Sequence, residues 1–484
     1  MKPARERRHY RITFIVLAVG VGAYALLQSL VIPVLPTIER SVGATQSSVT
    51  WVLTAYLLSA SICTPIVGRL GDMYGKKRLL VVALAVLALG SLLAALATSL
   101  TIIVIARAVQ GVGGGVLPLA FGIVRDEFPP EKVAGAVGMV AALTSVGAGL
   151  GVVLAGPIVD SLSYHWLFWI PFIMVSLACI AAQVVVPESP AGAAGRINWL
   201  NGFLLSTWLV ALLLGMSQAA AWGWGSGRTL SLMVVAVLTG VIWVAAETRS
   251  ANPLVDMEMM RIRTVWAANL VALVMGIGMY AAFSFLPQFL QTPTSAGYGL
   301  DASVTESGLM LLPITIGVFV LGLASGRLGY WFGSKRVLVA GSMVSAIGYL
   351  MVAFLHSSDF SIYIAMSVVG IGLGLAFPAM SSVVVGAVPS TQSGIASGMN
   401  VNIRTIGGAL GAVFMARLVT AGVPPGDTPR EAGYTNGFFL LGVVVIFGAL
   451  AALFIPATGE RIALASLYND AGLPDRIIGA TSEE

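Results

Sequence analysis

From Ile12 to Pro36 the chain runs 25 residues without a charged side chain, and from Leu79 to Ile105 it runs 27. About 20 residues of helix cross the hydrocarbon core of a bilayer. A backbone in hydrocarbon must satisfy its own hydrogen bonds, which confines such runs to helices or closed barrels. At this length and uniformity the runs specify spanning helices. Composition agrees, with 57% hydrophobic residues, 10% charged and a mean hydropathy of +0.93. Soluble domains carry about 25% charged residues, so a soluble enzyme or nucleic-acid-binding protein is excluded. The basic head KPARERRHYR precedes a run of full spanning length with no Ala-x-Ala-like cleavage chemistry after it, which reads as a retained first helix. Cys63 and Cys179 both fall in apolar runs and read as small core residues.

Fourteen spans follow: 12–36, 48–68, 79–97, 101–124, 133–157, 165–186, 199–218, 228–247, 265–290, 305–328, 337–356, 360–386, 393–421 and 434–456. The pair 199–218 and 228–247 is the least distinct, with Trp222 and Trp224 suiting an interfacial aromatic belt between them. With the amino end inside, 20 of the 26 Lys and Arg lie on the inner side and four outside, while Arg107 and Arg404 fall within spans. Both termini are then cytoplasmic by the positive-inside rule, and the pI near 9.3 records topology. The expected organisation is a six-helix bundle over 1–186, a linker with two extra helices over 187–264, a second six-helix bundle over 265–456 and a cytoplasmic tail over 457–484.

An internal repeat underlies the two bundles. GRLGDMYGKKR at Gly68–Arg78 and GRLGYWFGSKR at Gly326–Arg336 share seven of eleven residues. Gly111, Gly113 and Gly115 are echoed by Gly370, Gly372 and Gly374, and Pro130, Gly135 and Gly138-Met139 by Pro389, Gly394 and Gly398-Met399, at offsets of 259 or 260. Parallel six-helix halves related by an axis along the membrane normal are a transporter architecture with its substrate site near mid-membrane.

GRLGDMYGKKR resembles the loop signature of the major facilitator superfamily, and the resemblance runs to about Pro456. Fourteen spans, WVLTAY at Trp51–Tyr56, HWLFWIP at His165–Pro171 and SGIASGMNVNIRTIGGALGA at Ser393–Ala412 are similar to its fourteen-helix drug/proton antiporter branch. The resemblance implies an all-helical membrane fold, transport rather than enzymatic catalysis, and a proton gradient instead of a cofactor. It also implies a gating loop made of Gly68, Arg69, Gly71, Asp72, Gly75, Lys76, Lys77 and Arg78. In that loop Asp72 would latch the two halves against the positive amino end of the thirteenth span, and Lys76, Lys77 and Arg78 would meet anionic lipid head groups. Tyr330 stands where the second copy would need the acid, so the latch is one-sided.

Arg107 with Gly111 and Gly113 matches the family's Arg-x-x-x-Gly-x-Gly motif, which implies a place near proton movement or substrate, together with Gln110. An arginine tied to backbone carbonyls is the competing reading. Arg404 with Asn400 and Asn402 either lines a polar cavity or joins helices, and Gln28 is a polar group left in the first span. The fifth span matches the family's exporter motif only in part: Gly147 and Gly151 fit, Val152 and Ala155 do not. Its glycines, Gly156 included, have helix packing as sufficient cause.

Leu27 and Ile32 stand where the branch usually has Asp and Asn, and no acidic residue lies deep in a span; Glu247 and Glu306 come closest. A pump for lipophilic cations needs a buried carboxylate for the cation and the proton. Two buried arginines without one favour a neutral, zwitterionic or anionic small-molecule substrate. Three histidines without metal spacing, no Gly-x-Ser-x-Gly and no Walker sequence argue against a metal site, a hydrolase and an ATP-driven pump. The expected function is proton-coupled efflux of small organic compounds by a monomer in the bacterial cell membrane, with lipids and protons but no nucleic acid as partners. The alternatives are an inward permease and a transport-inactive sensor or scaffold.

Overall fold

The computed structural model of the chain describes residues 4–44, 46–49, 51–188, 198–223, 225–250, 253–389, 392–421 and 429–456. Trp224 and the tail 457–484 lie outside the described residues. Within them the structure is helical with no strand. Fourteen long helices are α1 (Ala4–Leu30), α2 (Trp51–Tyr74), α3 (Lys76–Ala95), α4 (Leu100–Glu127), α5 (Pro130–Ser161), α6 (Trp166–Val185), α7 (Trp199–Trp222), α8 (Gly227–Arg249), α9 (Arg263–Leu290), α10 (Val304–Phe332), α11 (Ser334–Phe354), α12 (Asp359–Gly386), α13 (Ser393–Val419) and α14 (Glu431–Leu453).

Thirteen of these are long and apolar enough to cross a membrane. The fourteenth, α13, is long enough but carries Asn400, Asn402, Arg404 and Arg417. It accommodates the first three because that face is turned into the protein, where Asn400 and Asn402 are buried, while Arg417 is exposed in its last turn. One end and one helix interior differ from the sequence expectation, and proline explains both. The first span was expected to reach Pro36, but α1 stops at Leu30, tightens into a 3-10 turn over Ile32–Val34 around Pro33, and resumes as a short helix over Leu35–Val42. In α4 the VGGG stretch Val112–Gly115 is also 3-10, just before Pro118 in the first turn of the resumed helix. A proline ring crowds the carbonyl four residues back, so the ladder changes pitch ahead of it.

Helices α1–α6 pack as one bundle and α9–α14 as another, each with its own apolar core. The bundles meet along two long seams, α2 on α13 and α5 on α10. Under the internal repeat α2 corresponds to α10 and α5 to α13, so the two seams are one arrangement used twice. The α7–α8 hairpin is fastened internally by Trp208 stacked on Trp243 at 5.3 Å. Its α7 lies on α2 and α13, at one seam only, and Thr54 and Ser217 share a 3.0 Å hydrogen bond there. Helix α8 turns Val234, Val237, Leu238 and Val241 outward, as a lipid-facing helix must.

Candidate functional site

Both copies of the glycine-basic turn lie at one end of the bundle. Each turns on a glycine with φ in the left-handed region, Gly75 at 105° and Gly333 at 84°, where a side chain would be strained. Just before each turn the two seams bring backbone against backbone. A methyl group on Gly68 would sit 2.9 Å from the Gly394 carbonyl oxygen, and one on Gly326 would sit 2.7 Å from Gly135 Cα. These are the same two positions of the repeat, and both seams are closed at this end.

The α2–α13 seam carries charge. Asp72 is buried against the amino end of α13, close enough that a methyl group on Gly394 would lie 2.9 and 3.0 Å from its oxygens. Lys76, one turn on, stands 3.7 Å from Asp72 and 2.8 Å from Asp126 on α4. Lys76 therefore does not reach head groups, as its place in the basic turn suggested. Two carboxylates face inward, and Gly122 leaves a groove for its stem, since a methyl group there would come within 2.6 Å of Lys76 Cδ. Arg78 is exposed and sits 3.5 Å from Glu188, while Arg69 and Lys77 are half-buried. Tyr330, at the position equivalent to Asp72, is exposed. Gly71 lets α4 approach, with the Leu119 side chain occupying the place where a methyl would stand.

A second tie at this end was not singled out in the sequence. Arg125, in the last turn of α4, donates to the Val385 and Val388 carbonyls at 2.6 and 2.8 Å. The Val385 carbonyl belongs to the carboxyl end of α12 and the Val388 carbonyl to the turn just after it, where helix carbonyls lack partners and the dipole is negative. The signal was present: Arg125 sits where the second copy has Val384, a charge without an echo.

Arg107 is fully buried inside the first bundle. It donates from Nε to Val52 O at 3.1 Å and from Nη1 to Leu27 O at 3.4 Å and Gln110 Oε1 at 2.9 Å, and it lies 4.3 Å from the Tyr56 ring centre. Gln110 passes its own amide to Ser91 at 3.2 Å. Neither side chain lines the central cavity, in contrast to the pathway expected for them. With Leu27 in place of an acid, the carbonyl of that same residue, in the last turn of α1, becomes the acceptor. The glycines around them serve packing: Gly111 meets Ser59 and Ala60 of α2, Gly113 meets Leu87, and Gly147 and Gly151 meet α1 at Gly22 and Ser29. Gly156 faces Thr305 across the α5–α10 seam.

Between the bundles, two small cavities of about 10 and 30 Å³ lie on either side of Arg404. Their shape leaves room for waters, not for a drug-sized molecule, so the centre is closed in this state. Asn400 and Asn402 point apart, as residues two apart on a helix do. Asn400 lines the cavity nearer the basic turns and donates to Asn269 at 2.9 Å; Asn402 lines the other and donates to Ser61 O of α2 at 2.7 Å. Gln28 donates to the Tyr280 hydroxyl at 3.4 Å across the halves. The cavities also draw in Tyr24, Ser61, Thr64, Thr144, Ser381 and Ser397, single polar residues scattered through apolar spans that only the packing brings together.

Comparison with known proteins agrees with this geometry. The family model of the Major Facilitator Superfamily matches residues 17–412 and again 268–471. Multidrug transporter protein MdtP of Bacillus subtilis is 28% identical over 432 residues, covering 87% of this chain and 78% of its own. The tetracenomycin C resistance and export protein of Streptomyces glaucescens is 28% identical over 488 residues, covering 97% and 89%. The crystal structure of the human organic anion transporter MFSD10 shares the fold at a TM-score of 0.66 and 16% identity, over 93% of this chain and 100% of that one. With two repeated bundles, a buried carboxylate at the seam and a closed polar centre, the chain belongs to the Major Facilitator Superfamily and is a multi-pass membrane transporter, not an enzyme.

Proposed function

We propose that this transporter exports small organic compounds from a bacterial cell by alternating access, drawing on the proton gradient, with both termini cytoplasmic. The observation that carries the reading is the pair of glycine seams closed at the end bearing the basic turns. Basic residues retain that end inside, so the protein is shut towards the cytoplasm in this state. Opening it requires the bundles to part at Gly68–Gly394 and Gly326–Gly135 and at the Arg125 tie. Asp72 is the titratable group at the moving contact. Protonating it removes the charge facing the amino end of α13 and frees Lys76 to pair with Asp126 alone, which loosens the latch. The relatives support the outward direction by their names, multidrug transport and antibiotic export.

The test is compound accumulation in an efflux-deficient bacterial host expressing the chain, with cationic, neutral and anionic compounds, with and without a protonophore. Lowered accumulation that the protonophore abolishes is the expected result. Raised accumulation would mean an inward permease, and no change for any compound at normal membrane levels would remove the export reading.

A further inference from the structure

We infer that the central cavity takes the acidic group of an organic anion, with Arg404 as its anchor; this deepens the export reading and rests on it. Arg404 lines both cavities. Its guanidinium stands 5.0 Å from the Phe377 ring centre, and its Nε–H is buried with no acceptor. Ser61 Oγ and Ser397 Oγ, one on each cavity, are also buried without partners. A buried polar group left unpaired is costly and rare in a native fold. Three around one arginine mark a place whose partner comes from outside the chain.

Charge decides the class of that partner. No Asp or Glu is among the residues lining either cavity. The Asp72 carboxylate lies against Gly394, ten residues back along α13, or about 15 Å of helix away, and has Lys76 beside it. Arg107 differs in lining neither cavity: its Nε and Nη1 are held by Val52, Leu27 and Gln110 inside the first bundle, and the one nitrogen left without an acceptor, Nη2, is enclosed there. A cationic substrate would meet an unopposed like charge at low dielectric, and a neutral one would leave the guanidinium without a counter-charge. An organic acid neutralises Arg404, and its oxygens accept from the guanidinium and from the two serine hydroxyls. Phe121 on one cavity and Tyr280 on the other provide aromatic surface for the body of such a molecule. Outward movement of an anion also runs with a membrane potential that is negative inside. Export of an acid therefore needs no deep carboxylate to exchange it for a proton, consistent with a chain that has none.

The experiment is calorimetric binding of 2-naphthoate, its methyl ester and 2-naphthylmethylammonium to the purified full chain in detergent. Naphthoate is expected to bind about tenfold or more tighter than the ester, and the ammonium compound not measurably. Arg404→Gln is expected to bring naphthoate down to the ester's affinity, and Arg404→Lys to retain part of the preference, which a folding defect would not do. Equal affinities, stronger binding of the ammonium compound, no naphthoate binding, or an unchanged preference in Arg404→Gln overturns the proposal. Uptake of the same compounds into everted vesicles separates it from the export reading. Energised uptake of the ammonium compound without any naphthoate preference leaves export standing and removes the anion site. Naphthoate preference lost in Arg404→Gln, with no energised uptake of any compound, leaves the site and removes export.

Discussion

Adding one methyl group at Gly394 should open the protein towards the basic turns. In the closed state that carbon would lie 2.9 Å from the Gly68 carbonyl oxygen and 2.9 and 3.0 Å from the two Asp72 oxygens. Carbon–oxygen contacts are comfortable at about 3.3–3.6 Å, so α2 and α13 would have to separate by roughly half an ångström. Overpacking of this kind costs about 1–3 kcal/mol. The contact exists only while the seam is closed, so the whole cost falls on that state, and the closed-to-open ratio should drop about 5- to 150-fold. Ser397→Cys, in a background with Cys63 and Cys179 replaced by alanine, reports the opening, because Ser397 is buried and lines the cavity at that end. Its labelling rate with N-ethylmaleimide should rise by that factor in Gly394→Ala. Gly135→Ala is the control, since a methyl group there meets nothing within 4 Å. A rate within twofold of the parent in Gly394→Ala, with the protein folded, would refute the reasoning that this seam gates access.

Other substitutions separate gate from scaffold. Asp72→Asn should lower energised transport at normal membrane levels, because it removes the carboxylate that faces the amino end of α13; unchanged transport would mean that Asp72 is no latch. Arg125→Gln gives up two charged-donor hydrogen bonds to α12, about 1.5–3 kcal/mol, and should speed labelling of Ser397→Cys much as Gly394→Ala does. Arg107→Leu strands the Leu27 and Val52 carbonyls and Gln110 Oε1 in a buried pocket, at about 2–4 kcal/mol, so the melting temperature in detergent should fall. An intact melting temperature with lost transport would instead return Arg107 to the pathway. Glu247→Gln places an amide NH₂ among the four donors that now reach the carboxylate, from Asn201, Trp243 and the amides of Leu254 and Val255. It should destabilise the hairpin by about 2 kcal/mol while leaving the substrate profile of the folded fraction unchanged, which a transport panel checks.

The fourteen helices, their duplication and the family were legible because each depends on local pattern: hydrophobic length, positive charge at one end, and a glycine turn written twice. The weak pair before the second bundle proved to be the α7–α8 hairpin for the same reason, since apolar length decides a span even without a strong boundary. Glu247 shows where local reading stops. The sequence placed it only near a span end, whereas the hairpin and the loop before α9 bury it among four donors. Lys76 shows it too, because a lysine in a basic turn reads as exposed until Asp126 and the groove at Gly122 are brought beside it.

The amino-acid sequence by itself determined that this chain spans the membrane as two repeated bundles, because hydrocarbon permits a long apolar segment little other than a helix. Only the tertiary structure decided what its polar residues do. Arg107 and Arg404 are alike in sequence, each an arginine in a span with an amide three or two residues away. Packing hands one to backbone carbonyls inside a bundle and leaves the other facing a cavity between bundles. The physical reason is that a buried charge is defined by the acceptors that reach it, and those acceptors come from helices distant in the chain.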